Sequence, residues 1–168
     1  MSQVAAPVLP ARYQVVERQE ETHDTVTLGL RPVDQPIPAY QPGQFTMLYA
    51  PGIGEVPISI SGTGPDLGLV QTVRAVGAVT RALCACPPGR VIGLRGPYGT
   101  DWDVADAAGD DLLIVAGGIG LAPLRGALLA ALTHRERYRR VVLLAGARHP
   151  RNSSSPASWS IGAAAVPR

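Results

Sequence analysis

Through its first hundred residues the chain alternates short β-type runs with proline and glycine punctuation, the pattern of a small antiparallel barrel or sandwich. The runs predict strands over Tyr13–Arg18, Thr25–Leu30, Gln44–Tyr49, Val56–Ser61, Leu69–Val76 and Val91–Arg95. Between them stand Pro36-Ile37-Pro38, Gln41-Pro42-Gly43, Pro51-Gly52 and Pro87-Pro88-Gly89, where fixed proline φ and permissive glycine make turns. One short helix is expected at Thr80–Cys84, with Thr80 as its N-cap.

After a polar link around Asp101–Gly109 the rhythm changes. A continuous apolar strand, Leu112–Ala116, runs into Gly117-Gly118-Ile119-Gly120 and then into an apolar helix from about Pro123, a residue suited to a first turn, to His134. The arginines at 135, 137, 139 and 140 read as a helix C-terminus interacting with the dipole, and Val141–Ala145 reads as a second buried strand. This is one β-α-β unit, which needs a further strand and helix to bury its sheet faces. From Arg151 onward neither helical nor strand periodicity is present, and residues 151–168 read as a disordered tail.

Composition narrows the function classes. The 168 residues, 46% hydrophobic and 17% charged, suit one ordinary globular domain or one and a half small ones. A net charge of +2 without a clustered basic excess argues against nucleic acid as a partner. The stretch Leu112–Pro123 is broken by glycines and is far shorter than the roughly 20 residues that cross a bilayer, so no membrane span is expected. The N-terminus has no basic segment leading into an apolar core, and a cytoplasmic location is the default expectation. Cys84 and Cys86 are too close for an ordinary disulfide, and with His23, His134 and His149 scattered they make no metal site; a structural or incidental role is expected.

Two segments invite an anion. Gly117-Gly118-Ile119-Gly120 lies between strand and helix, where backbone amides and the helix N-terminus can cradle a pyrophosphate, although tight α/β packing alone also calls for glycines there. Gly77-Ala78-Val79-Thr80 opens the short helix and offers backbone donors with the Thr80 hydroxyl, or is simply a helix cap.

Taken in order, six motifs resemble the ferredoxin-NADP reductase superfamily. They are Pro42-Gly43-Gln44-Phe45, Pro57-Ile58-Ser59-Ile60-Ser61, Val73-Arg74-Ala75-Val76-Gly77 with Thr80 and Leu83, Gly96-Pro97-Tyr98-Gly99, Ala116-Gly117-Gly118-Ile119-Gly120-Leu121-Ala122-Pro123-Leu124, and Gly146-Ala147-Arg148. The wording is most similar to the gamma subunit of cytoplasmic nickel-iron sulfhydrogenase. It is also similar to the flavin-containing electron-transfer subunits of anaerobic sulfite reductase and of dihydroorotate dehydrogenase. The resemblance implies an antiparallel FAD-binding β-barrel over residues 8–100, followed by an incomplete α/β nucleotide-binding domain over residues 108–150.

It further implies that Pro57, Ile58 and Ser59 lie along the flavin and ribityl chain, Thr72, Val73 and Arg74 along the adenylate and phosphate side, and Val79 and Thr80 at the pyrophosphate. Gly117, Gly118, Ile119 and Gly120 are implied to lie beneath the NAD(P)H phosphates and nicotinamide, with Arg148 near the adenosine ribose. The implied activity is flavin-dependent electron transfer between NAD(P)H and a partner metalloenzyme such as hydrogenase or sulfite reductase. The alternative is an FAD-binding module without NAD(P)H activity.

Three departures accompany the resemblance. Val56 stands where many members carry an arginine for the flavin phosphate, with Arg74 able to compensate. The cysteines for a 2Fe-2S centre have no counterpart after Cys86, so none is expected in this chain. The rest of the nucleotide domain is missing. Permitted codons for Pro150–Ser160, read one frame over, encode Ala-Glu-Leu-Leu-Phe-Ala-Arg-Glu-Leu-Val, an amphipathic helix start of the implied kind. A frame shift near residue 150 of a longer flavoprotein subunit is therefore expected, the alternative being a short protein with a polar tail.

Overall fold

The computed structural model describes residues 9–64 and 67–146, so the expected tail and Arg148 lie outside the described residues. Seven strands form one antiparallel sheet: β1 (Ala11–Thr22), β2 (Thr25–Pro32), β3 (Phe45–Ala50), β4 (Gly54–Ser59), β5 (Gly62–Gly64), β6 (Leu67–Arg74) and β7 (Val91–Tyr98). Their order is β4-β3-β7-β1-β2-β6-β5. The sheet curls around a core of Tyr13, Val15, Leu28, Leu30, Leu48, Leu69, Val73 and Leu94, all nearly or fully buried. The predicted strands are present with shifted ends, and the short β5, carried by two glycines with little β-propensity, was not expected.

The end strands β4 and β5 are separated in sequence by Ile60 and Ser61 alone, so the chain itself turns the sheet back on itself. Ile60 N–H donates to the Gln44 carbonyl (3.0 Å) and Ser61 N–H to the Val70 carbonyl (2.9 Å), fixing that crossing. Among the described residues no ladder joins β4 to β6; a side chain does so instead. The Gln71 carboxamide on β6, fully buried, donates from Nε2 to the Ile58 carbonyl on β4 (2.9 Å) and to Thr46 Oγ1 on β3 (3.0 Å). A buried amide is tolerated only when its hydrogen bonds are made, and here they are made across the gap in the barrel.

Helix α1 spans Ala78–Cys84, two residues earlier than predicted, with Gly77 as N-cap. Thr80 is therefore not the cap. It sits at the third helical position, and its hydroxyl accepts the Val76 and Gly77 N–H groups (2.9 and 2.8 Å), so the capping bond runs backward from inside the helix. Cys84 is buried with its Sγ donating to the Val73 carbonyl (3.4 Å), and burial pushes both its thiol and that of Cys86 above the usual range.

The second unit is β8 (Leu112–Gly117), helix α2 (Leu121–Thr133) and β9 (Val141–Gly146), the strands being parallel and in register from Leu112 opposite Val141 to Gly117 opposite Gly146. Helix α2 begins two residues before Pro123 and ends at Thr133, so the arginines beyond it do not form its C-terminus. Arg135 instead closes the following turn, donating to the Tyr138 and Arg139 carbonyls (2.7 and 3.2 Å), and Arg140 pairs with Asp111. One sheet face, with Ile114 and Ala116, is buried along with Ala122, Ala127, Leu128 and Ala131 of the helix. The other face is bare: Leu113 and Val115 are 60% and 63% exposed, and Leu144 54%.

Three outcomes follow from this architecture. Replacing Gln71 by Leu leaves the Ile58 carbonyl and the Thr46 hydroxyl buried without this donor and lowers stability by about 2–4 kcal/mol, read from urea unfolding. Asp24 accepts hydrogen bonds from Thr22 (2.8 Å), Arg74 (2.7 Å) and Thr25 (2.9 Å), which hold its carboxyl down at about 2, the Thr22 hydroxyl contributing most. Its contribution is full above the unfolded value near 4 and is lost as pH falls toward about 2, so Asp24→Asn flattens the acid limb of the thermal stability profile over that window. Finally, Val115→Thr with Leu144→Thr removes exposed apolar surface while keeping strand-compatible shapes, so light scattering at high protein concentration falls; unchanged scattering contradicts a bare face.

Candidate functional site

Strand β4 is an edge strand, pairing with β3 on one side only. Along it Pro57 is exposed, Ile58 and Ser59 are half-buried, and proline leaves no N–H to invite another strand. Phe45, opposite Ser59, packs its ring 5.8 Å from that of Tyr98 at a tilt of 41°. The strand thus offers a partly apolar edge with a hydroxyl at one end. Its far end meets α1, where the Val79 side chain packs against Gly54.

On β6 the three singled-out residues part company. Val73 lies in the core at 0% exposure, and Thr72 is buried with its hydroxyl 2.9 Å from Thr27 Oγ1, so neither side chain is presented outward. Arg74 reaches solvent and holds Asp24 through Nε (2.7 Å). At α1 the Thr80 hydroxyl is engaged by Val76 and Gly77; what the first turn keeps for an anion is the set of amides at Ala78, Val79 and Thr80, which lack intrahelical acceptors. Helix α1 packs against β3, β4 and β6, the last two being the strands that carry residues 57–59 and 74.

The glycine turn stands on the second unit. Gly118–Gly120 forms a 3₁₀ turn between β8 and α2, and a Cβ at Gly117, Gly118 or Gly120 would meet nothing within 4 Å. The space over the turn is therefore open, as a phosphate cradle requires.

Helix α2 is tied to the barrel through a side chain. Arg125, half-buried, donates from Nη1 to the Ser61 carbonyl (3.0 Å), just past the strand that carries Pro57–Ser59. Burial pushes its guanidinium below the ordinary value, with Tyr40 and Glu21 acting in the opposite direction. Gly62, at φ +137, lets the guanidinium in: a Cβ there would lie 2.7 Å from Nη1. Gly126 faces Pro42 and the Ile60 carbonyl, and Trp102 lies over Gly43, where a Cβ would come within 2.8 Å of the indole. Trp102 N–H also donates to the Pro42 carbonyl (3.0 Å). Pro42-Gly43 is thus the seat on which both the link and the helix rest.

Sequence reasoning passed over Gln71, Asp24 and Arg125. Arg125 did carry a signal, since it is the one charged residue in the thirteen of α2. Gln71 carried none, because its partners Thr46 and Ile58 come from distant strands; Asp24 has Thr22 and Thr25 beside it in sequence, and only its Arg74 partner is distant. Among the described residues no helix is long and apolar enough to cross a membrane, and no group of three His, Cys, Asp or Glu side chains is placed to hold a metal ion.

No protein-family profile matches the chain. Among curated proteins it is 40% identical over 111 residues to sulfhydrogenase 1 subunit gamma of Pyrococcus furiosus, covering 66% of this chain and 38% of that protein. It is 42% identical over 117 residues to a probable dihydroorotate dehydrogenase B (NAD(+)) electron transfer subunit of Methanopyrus kandleri, covering 70% of this chain and 42% of the relative. The chain therefore spans about two fifths of the length of these relatives. Among solved structures, the flavohemoglobin of Malassezia yamatoensis with bound FAD and heme aligns over 88% of this chain and 40% of its own, with a TM-score of 0.73 and 18% identity. The ferredoxin reductase of carbazole 1,9a-dioxygenase aligns over 88% of this chain and 46% of its own, with a TM-score of 0.73 and 24% identity. The relatives in sequence bear out the resemblance to hydrogenase gamma subunits and dihydroorotate dehydrogenase electron-transfer subunits, and the solved flavohemoglobin and ferredoxin reductase share the fold of a barrel followed by an α/β unit.

Proposed function

We propose that this chain binds FAD on the barrel and belongs to an electron-transfer subunit passing electrons between NAD(P)H and a partner metalloenzyme, of the hydrogenase or sulfite reductase kind. The observation that carries the reading is the open, partly apolar edge of β4, whose backbone is held from behind by Gln71. Similarity to the hydrogenase and dihydroorotate dehydrogenase subunits supports the electron-transfer part, and the fold neighbour that holds FAD supports the flavin.

The residues suit FAD in a definite way. Pro57, Ile58 and Ser59 supply a flat face and one hydroxyl for the ring and ribityl chain. The Ala78–Thr80 amides and Arg74 supply donors for the pyrophosphate, and the backbone at Thr72 and Val73 lines the path between them, their side chains being turned into the protein. Gly117, Gly118, Ile119 and Gly120 leave room for the phosphates of a dinucleotide. Held by Pro57–Ser59, Arg74 and the Ala78–Thr80 amides, FAD would supply two-electron hydride acceptance from reduced nicotinamide and one-electron release to an acceptor. The protein's part is to hold the two reacting atoms within near-attack distance and to keep water away.

The module reading, FAD bound without NAD(P)H activity, is favoured by one observation: among the described residues the second unit has only two strands and one bare face. A single experiment separates the readings. The purified chain is reconstituted with FAD and its visible flavin absorbance followed as NAD(P)H is added without oxygen. Stoichiometric flavin that bleaches supports the subunit; flavin that stays coloured leaves the module; a chain that takes up no flavin contradicts both.

A further inference from the structure

The junction between the two units is built from the Arg125 guanidinium, Gly62 and the Pro42-Gly43 seat. Helix α2 faces that seat with Gly126, where a Cβ would come into ordinary contact with the Ile60 carbonyl and Pro42 at 3.8–4.0 Å. A second glycine, Gly62, clears the path of the one charged side chain on that helix. Arg125 ends on the Ser61 carbonyl, two residues beyond Ser59, and begins about one helical turn beyond Gly120. It therefore spans the step from the dinucleotide turn to the flavin strand.

We propose that Arg125 is a positioning residue for hydride transfer: the strut from Arg125 to the Ser61 carbonyl sets how far the Gly117–Gly120 turn stands from Pro57–Ser59. The proposal rests on the functional reading above for its chemistry. Arg125 acts by fixing the angle and height of α2 on the barrel. A backbone carbonyl makes a suitable anchor, because it cannot rotate away as a side chain can, and a charged donor strengthens the bond where water is partly excluded. Arginine rather than lysine suits the place, since its planar fork loses less freedom on docking.

The test compares the full chain with Arg125→Met and Arg125→Lys, all loaded with FAD. In rapid mixing with NADH and with NADPH, Arg125→Met lowers the limiting rate of flavin reduction by roughly 10- to 100-fold, the scale of an ångström misplacement. The dinucleotide concentration at half-maximal rate changes by less than about twofold, and FAD stoichiometry stays unchanged. Arg125→Lys recovers part of the rate. Amide hydrogen exchange on the same proteins is the second readout and needs no dinucleotide. In Arg125→Met the amides of Gly126–Thr133 exchange faster, while those of Val26–Leu30 in the barrel keep their protection. A wild-type chain that NAD(P)H does not reduce sinks the functional reading, and exchange then decides the strut alone. Unchanged exchange in α2, or an unchanged limiting rate in a chain that NAD(P)H does reduce, overturns the proposal.

Discussion

Everything the barrel offers depends on one buried amide. A seven-stranded sheet in the order β4-β3-β7-β1-β2-β6-β5 has two ends, and an exposed strand edge with no restraint behind it would slip or pair with another chain. The Gln71 carboxamide removes that freedom by bonding to both β3 and β4 from β6, inside a core built mostly of aliphatic side chains. An aliphatic residue would fill the same volume without choosing a register, whereas an amide with fixed partners accepts only one. The carbonyl it holds belongs to Ile58, the central residue of the candidate flavin strand. The edge is thus left open outward because it is closed inward.

The second unit stands in a different physical state. Its sheet has two strands, one face buried against α2 and the other exposing Leu113, Val115 and Leu144. Such a unit gains little from its own burial, and it draws its order from the barrel through Trp102 on Gly43, Gly126 on Pro42 and Arg125 on Ser61. On the proposed function that dependence bears on the chemistry, because hydride transfer is sensitive to the separation of the two groups that the reading puts on separate units. The chain spans about two fifths of its curated relatives, and the bare face is where the described part of the protein is least self-sufficient.

Much of this was legible in the sequence, for identifiable reasons. Period-two runs bounded by Gly and Pro located six of the seven barrel strands, since alternation and turn chemistry are local properties. The strand, glycine turn and helix at residues 112–133 were legible because a buried parallel strand reads as a continuous apolar run. The ordered motifs named the segments that the proposed function assigns to the site. What the sequence hid was long-range or backward-looking. β5 is two glycines around a threonine and has no local signal. Thr80 looked like a cap because hydroxyl residues start helices, and only the structure reveals its bonds running back to Val76 and Gly77. Thr72 and Val73 sit in a matching motif, yet Val73 points into the barrel core, and Thr72, on the opposite face, is buried against the Thr27 hydroxyl. Gln71 reaches Thr46 and Ile58, and Asp24 reaches Arg74, across strands distant in sequence, which a linear reading cannot pair.

The central claim is that the β4 edge and the first turn of α1 form one continuous FAD surface. Titration of the chain with FAD, followed by backbone amide NMR, tests it most directly. The account predicts perturbed amides clustered at Ile58, Ser59, Arg74 and Ala78–Thr80, with the barrel core unmoved. Perturbation confined elsewhere, for example to the apolar groove lined by Ile53, Leu83, Cys86 and Arg90, contradicts it.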